Sequence, residues 1–188
     1  ALVSEGHQDR EHLQTSLRRT ALKYDRAGDA HYDTISALHK SIRGSDPDAA
    51  LYWLARMVAG GDDPLFIARR LIVCASEDCC SAEALNLATA TYRACEIVGL
   101  PECGINLSHC VVTLAECPKS TRSYRAWKKA LSKVASDYNY PVPLHIRNAP
   151  TRMMKELGYS AMYRYEPSFA HPVYQEFFPP ELQGTRFL

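Results

Sequence analysis

The sequence predicts an all-α protein: about seven helices in antiparallel helical hairpins, followed by an extended tail rich in proline and aromatic residues. Three observations carry this. Apolar residues recur at three- and four-residue spacing along most of the chain. Asp-Pro pairs and glycines punctuate those stripes where helices start and stop. Strand-like alternation between turn clusters is nearly absent. With 188 residues, the chain can form one compact domain or two closely joined subdomains.

Residues 10 to 24 read as a first helix, with Leu13, Leu17, Ala21 and Tyr24 on one side. "DRAGD" breaks it, and Ile35, Leu38 and Ile42 mark a second helix that Gly44 stops. Asp46 is placed to cap the next helix and Pro47 to open it, since proline's missing N–H costs nothing in the first turn. On that helix Leu51, Leu54 and Val58 form one apolar stripe, and Trp53 and Met57 a second. Asp63 and Pro64 repeat the device after Gly60-Gly61, which makes the two helices a tight hairpin, the later one reaching about Cys79. Ser81 begins a helix ending near Gly99, Pro101 opens one reaching Cys117, and Ser120 begins one reaching about Tyr138. "YPVPLHIRNAP" (140 to 150) is extended, and Thr151 to Leu157 form a short helix closed by Gly158. The tail beyond exposes too much Tyr and Phe to stand free in water, so it is expected to lie on the helical body or on a partner subunit.

Composition and missing motifs exclude several function classes. A net charge of +1 gives no global attraction to nucleic acid or membrane, and no apolar run reaches the ~18 residues of a membrane span. There is no G-x-x-x-x-G-K-[ST], no G-x-G-x-x-G, no H-E-x-x-H and no G-x-S-x-G. The seven cysteines include no C-x-x-C pair and mostly sit in apolar helical patterns, which reads as buried reduced thiols rather than a metal site. The cysteines at 103, 110 and 117 share one helix face, and His109 beside Cys110 points about 100° away from it, so no nucleophilic dyad forms there. No catalytic, cofactor-binding or metal-ligating residue is assigned.

Other candidate roles remain. Between Pro118 and Ser136 lie six basic residues and no acidic one. Lys119, Arg122, Arg125, Lys129 and Lys133 fall on one stripe that could follow a phosphate backbone, or serve as a solvated face. Tyr124, Trp127, Leu131, Val134 and Tyr138 fall opposite and are expected to pack inward. Arg147 and Asn148 in "RNAP" read as a structural lock, with the arginine suited to bidentate carboxylate contacts. In "SIRGSDPDAALYWLARM" (41 to 57) the acids are caps, which leaves Arg43, Tyr52, Trp53, Arg56 and Met57 as candidates for a subunit interface.

Several long runs resemble one family. "YDRAGDAHYDTISALHKSIRGSDPDAALYWLARMVAGGDDPLFIARRL" (24 to 71), "ASED" (75 to 78), "GLPEC" (99 to 103), "CPKS" (117 to 120), "PVPLHIRNAPTRMMKELGY" (141 to 159) and "QEFFPPELQG" (175 to 184) occur in the same order in the C-terminal region of AAA+ ATPases. These are called Werner helicase-interacting protein in animals, Mgs in yeast and MgsA or RarA in bacteria. One departure is "SEDCCSAE" (76 to 83), where the family usually reads "SEDIGLAD".

The resemblance implies a helical collar similar to that of clamp loaders, holding subunits together as tetramers. It implies that ATP, Mg, the sensors and the arginine finger belong to an AAA+ module upstream of Ala1, and that this part binds no cofactor and catalyses nothing. On that reading residues 1–27 end the link to the module, 28–158 form the oligomerisation domain and 159–188 the tail. The whole protein is then expected to be a DNA-dependent ATPase at stalled replication forks, with itself, DNA and fork proteins as partners and no membrane. The absent initiator Met fits a piece of a longer chain, and the style of the tail leans towards a nuclear protein, with bacterial cytoplasm the alternative.

Overall fold

The computed structural model describes residues 29–188. The helix expected over 10 to 24 and the arm 1–27 lie outside them. Among the described residues there are seven α-helices and no strand. The chain divides between Tyr124 and Arg125 into two compact units.

The first unit begins with α1 (Asp29–Arg43), whose buried Ile35, Leu38, His39 and Ile42 follow the three- and four-residue rhythm of one helix face. Its exit is a Schellman turn: Asp46 N–H reaches Ser41 O at 3.0 Å and Ser45 N–H reaches Ile42 O at 3.0 Å. The left-handed residue is Ser45 (φ 58°), not Gly44. Asp46 then caps α2 (Pro47–Gly60) by accepting from the Ala49 N–H at 2.9 Å. The same turn recurs at the end of α2, with Gly61 left-handed and Asp62 N–H on Met57 O at 3.0 Å. Asp63 caps α3 (Pro64–Cys74), accepting from Leu65 and Phe66 N–H. Each cap satisfies helix N–H groups that otherwise lack partners, a contribution of about 1 kcal/mol.

The tight hairpin expected between α2 and α3 does not form. The GGDDP turn is short, yet α2 packs on α1 and on α5, while α3 packs on α4. The reason lies in the apolar stripe of α2: Ala50, Leu54 and Met57 are buried, and Leu51, Trp53 and Val58 only flank the core. After α3 a π-helical turn (Ala75–Cys79) ends at Cys80, which is left-handed (φ 50°). Ser81 caps α4 (Ala82–Val98) through the Ala84 N–H. Pro101 does not open the next helix; it sits in the turn, its carbonyl accepting from Gly104 N–H, and α5 runs from Cys103 to Glu116. This helix touches α1, α2, α3 and α4 and buries Cys103, Leu107, Cys110, Val111, Leu114 and Ala115. It is the central column of the first unit.

The second unit has no such column. It contains most of α6 (Arg122–Ser136), the short α7 (Arg152–Glu156, capped by Thr151) and the tail. The tail is tied by polar contacts. His145 Nε2 lies 2.7 Å from Glu176 O, and Gln175 bonds both the N–H and the carbonyl of Arg164 as a neighbouring strand would. Lys129 Nζ donates to Phe187 O at 3.4 Å, and Phe178 and Phe187 meet edge to face.

Candidate functional site

Of the five candidate interface residues, Met57 turns inward and Arg43, still partly exposed, is engaged within the chain. Met57 is buried in the core, because α2 presents it on the same face as Leu54. Arg43 closes an internal junction: its Nε donates to Asp78 Oδ1 at 2.7 Å and its Nη2 to Glu77 Oε1 at 3.3 Å. Asp78 is fully buried, so the guanidinium supplies the charge that makes burial tolerable. That contact raises the Arg43 pKa further, and burial followed by Asp78 raises the Cys74 thiol. The Asp78 carbonyl also accepts the Ser120 N–H at 2.6 Å, so one residue joins α1, the π turn and the loop before α6. Tyr52, Trp53 and Arg56 form a small surface cluster, with the Arg56 guanidinium 5.4 Å from the Trp53 ring centre and Tyr52 edge-on to it.

The thiols are structural. Burial pushes Cys110 up to about 11 and Cys79 and Cys95 up to about 12, so all three stay protonated at neutral pH.

The basic stripe loses Lys119, while Arg122, Arg125, Lys129 and Lys133 all lie on α6. Lys119 precedes α6 and closes α5 instead, donating to Ala115 O at 2.8 Å and Cys117 O at 2.7 Å. Lys133 pairs with Asp137 at 3.0 Å, and Lys129 turns to the tail carbonyl of Phe187. Arg122 and Arg125 remain exposed.

The opposite stripe overturns its expectation more plainly. Trp127 is 62% exposed, Leu131 47%, Val134 77% and Tyr138 87%, and α6 buries no residue at all. The tail residues Phe178, Pro179, Leu182 and Phe187 face the side of α6 that carries Ala130 and Lys133. Between tail and helix lies a groove of about 300 Å³ that Val134 and Tyr138 also line.

Arg147 is a lock without a carboxylate. Its Nε donates to Val142 O at 2.6 Å, its Nη1 to the Tyr159 hydroxyl at 3.2 Å, and its guanidinium lies 5.2 Å from that ring centre. Asn148 is exposed and caps nothing; Thr151 takes that role, accepting from Met154 N–H.

Sequence reasoning missed Asp78, His39 and Arg70. The signal for Asp78 was the acid pair in "ASED" directly after an apolar helix, and for His39 its place on the apolar stripe of α1. Burial and the two guanidinium groups of Arg70 and Arg43 push His39 down to about 4, against a smaller opposing effect of Asp78. Among the described residues no group of His, Cys, Asp and Glu could hold a metal ion, and no helix is long and apolar enough to cross a membrane. The sequence contains no G-K dipeptide of the kind that cradles a nucleotide phosphate.

Residues 44–188 match the family model described as MgsA AAA+ ATPase C terminal, and residues 3–43 match one described as AAA C-terminal domain. Replication-associated recombination protein A of Haemophilus influenzae is 44% identical over 184 residues, 95% of this chain and 41% of its own length. The Escherichia coli K12 protein of the same name is 46% identical over 169 residues, 88% of this chain and 38% of its own. ATPase WRNIP1 of Dictyostelium discoideum is 44% identical over 175 residues, covering 91% of this chain and 20% of that protein. The chain thus spans between 20% and 41% of the length of these curated relatives, and their spread across bacteria and Dictyostelium gives the nuclear lean no support. Family match, identity and the all-helical fold agree: this chain belongs to the MgsA AAA+ ATPase family, as its C-terminal region.

Proposed function

We propose that this chain is the oligomerisation module of a replication-fork AAA+ ATPase, assembling as a tetramer through its own surfaces and catalysing nothing itself. The observation that supports it most is the α6 stripe of Trp127, Leu131, Val134 and Tyr138, apolar side chains on one helix face and all in water. A second copy of the chain is the occupant of that face, because the family resemblance implies self-assembly. ATP and Mg then bind in the larger, remaining part of the longer protein, whose relatives bear the name replication-associated recombination protein. DNA and fork proteins are partners of that assembly.

Light scattering on the chain at micromolar concentration tests the reading. The expected mass is that of a tetramer, and Leu131→Glu with Val134→Glu should reduce it to a monomer with unchanged helical circular dichroism. A strict monomer across all salt concentrations would overturn it.

A second reading is nucleic-acid contact through Arg122 and Arg125, which α6 leaves exposed, with Lys129 beside them. Replacing all three by Ala should weaken binding of single-stranded and gapped DNA in fluorescence anisotropy and flatten the salt slope by up to about 3. Unchanged affinity would remove the face from consideration.

A further inference from the structure

A cavity of about 410 Å³ in the first unit is lined by α1 and α3, with Glu77 of the π turn at one wall. Its lining carries three cations, Lys40, Arg43 and Arg70, against that one carboxylate. Arg43 holds both Glu77 and the buried Asp78, so with Asp78 counted the site keeps an excess of one positive charge. Lys40 and Arg70 have no acidic partner among the described residues, although Arg70 is half buried. A guanidinium partly out of water normally has a carboxylate or phosphate beside it.

A second, independent observation lies in the same wall. His39 is 6% exposed, lines the cavity, and its Nε2 has no hydrogen-bond partner. Buried polar atoms without partners are rare and commonly mark a missing ion or ligand. Burial keeps this imidazole neutral, and the Arg70 charge beside it adds to the effect while Asp78 opposes it.

We propose that this cavity binds a small phosphorylated molecule, its phosphate lying between Lys40 and Arg70. A phosphate presents three oxygens to the donors of Arg70 and Lys40 where a carboxylate presents two, so phosphate is the better geometric fit. The fork of Arg70 suits two phosphate oxygens, Lys40 adds a mobile point charge, and Ser36 offers a hydroxyl. Tyr32 and Phe66 supply an aromatic wall for the organic body, and the volume lies within the range of small-molecule sites.

The test follows the His39 ring by nuclear magnetic resonance while inorganic phosphate, phenyl phosphate and acetate are added to the whole chain at low salt. Both phosphates should give saturable shifts of the His39 resonances, with phenyl phosphate the tighter. Arg70→Gln should weaken binding about tenfold or more, while Arg152→Gln, on the exposed α7, should leave it unchanged. If Arg70→Gln does not fold by circular dichroism, Lys40→Gln, at an exposed position, carries the same comparison. A linear response to phosphate, a response that neither variant weakens, or equal affinity for acetate would overturn the proposal.

Discussion

The two units solve the same problem in opposite ways. Every buried residue of the described chain lies between Ile35 and Ala115, in a core sealed around α5. From Arg125 to Leu188 no residue is buried, although this stretch carries Trp127, four phenylalanines and many tyrosines. The first unit is therefore held by burial, where each methylene removed from water contributes about 0.8 kcal/mol. The second is held by polar ties, each of which contributes about 0.5–1.5 kcal/mol net because water competes for the same groups. A segment so aromatic and so open is a surface more than a core.

The largest effect that can break this comparison is a core truncation. Leu107→Ala empties space at the centre of the four-way contact around α5 and should cost about 2–5 kcal/mol in urea denaturation. Leu182→Ala, in the tail groove of the second unit, should cost less than about 1 kcal/mol in the same measurement. Comparable losses at the two sites would mean that the second unit also depends on packing within one chain.

The difference between the units also explains what could be read in advance. Helix number, caps and most boundaries were legible, since Asp46, Pro47, Asp63 and Pro64 act through their immediate neighbours and local rules suffice for them. Partner choice was not. A stripe such as Leu131 and Val134 has the same spacing whether the chain itself or another molecule covers it, so the expectation that it packs inward had nothing local to correct it. The α2–α3 hairpin failed for the same reason: the GGDDP turn fixes how α2 ends, while Met57 and Leu54 decide what it packs on. Lys119 misled because its stripe was drawn on a helix that begins three residues later. The Arg43–Asp78 contact joins residues 35 positions apart, beyond the reach of any helical periodicity.

A second prediction uses pH to separate the units, because His39 belongs only to the first. Its folded pKa lies near 4 and its unfolded value near 6.5, so between these the unfolded chain holds the extra proton. Stability from this group is fully present above about pH 6.5 and is lost as pH falls towards 4, by about 3 kcal/mol in total. The groups facing it are Arg70 and Arg43, whose charges deepen the depression, and Asp78 and a hydrogen bond to the Arg70 backbone, which oppose it. Denaturation midpoints of the chain and of His39→Gln, followed from pH 7.5 to 4, should converge on acidification. Parallel profiles would show that the imidazole is not buried neutral.

The smallest effect tests the turn where this chain departs from the relatives it resembles. Cys80 ends the π turn with φ 50°, in the left-handed region where a Cβ crowds the backbone, and the family's usual "SEDIGLAD" places glycine there. Cys80→Gly removes that strain but gives the unfolded chain more freedom, so the two contributions partly cancel. The net expectation is a gain of about 0.5 kcal/mol in the first unit, read as a higher urea midpoint at constant slope. Cys80→Ala keeps the Cβ and removes the sulfur, including its contact with Ser123, and should gain nothing. If alanine stabilises as much as glycine, the thiol and not the backbone is at fault. If neither does, Ser120 N–H on the Asp78 carbonyl and Arg43 on its carboxylate already hold the turn in the left-handed state at no net cost, and the junction, more than residue 80, sets its shape.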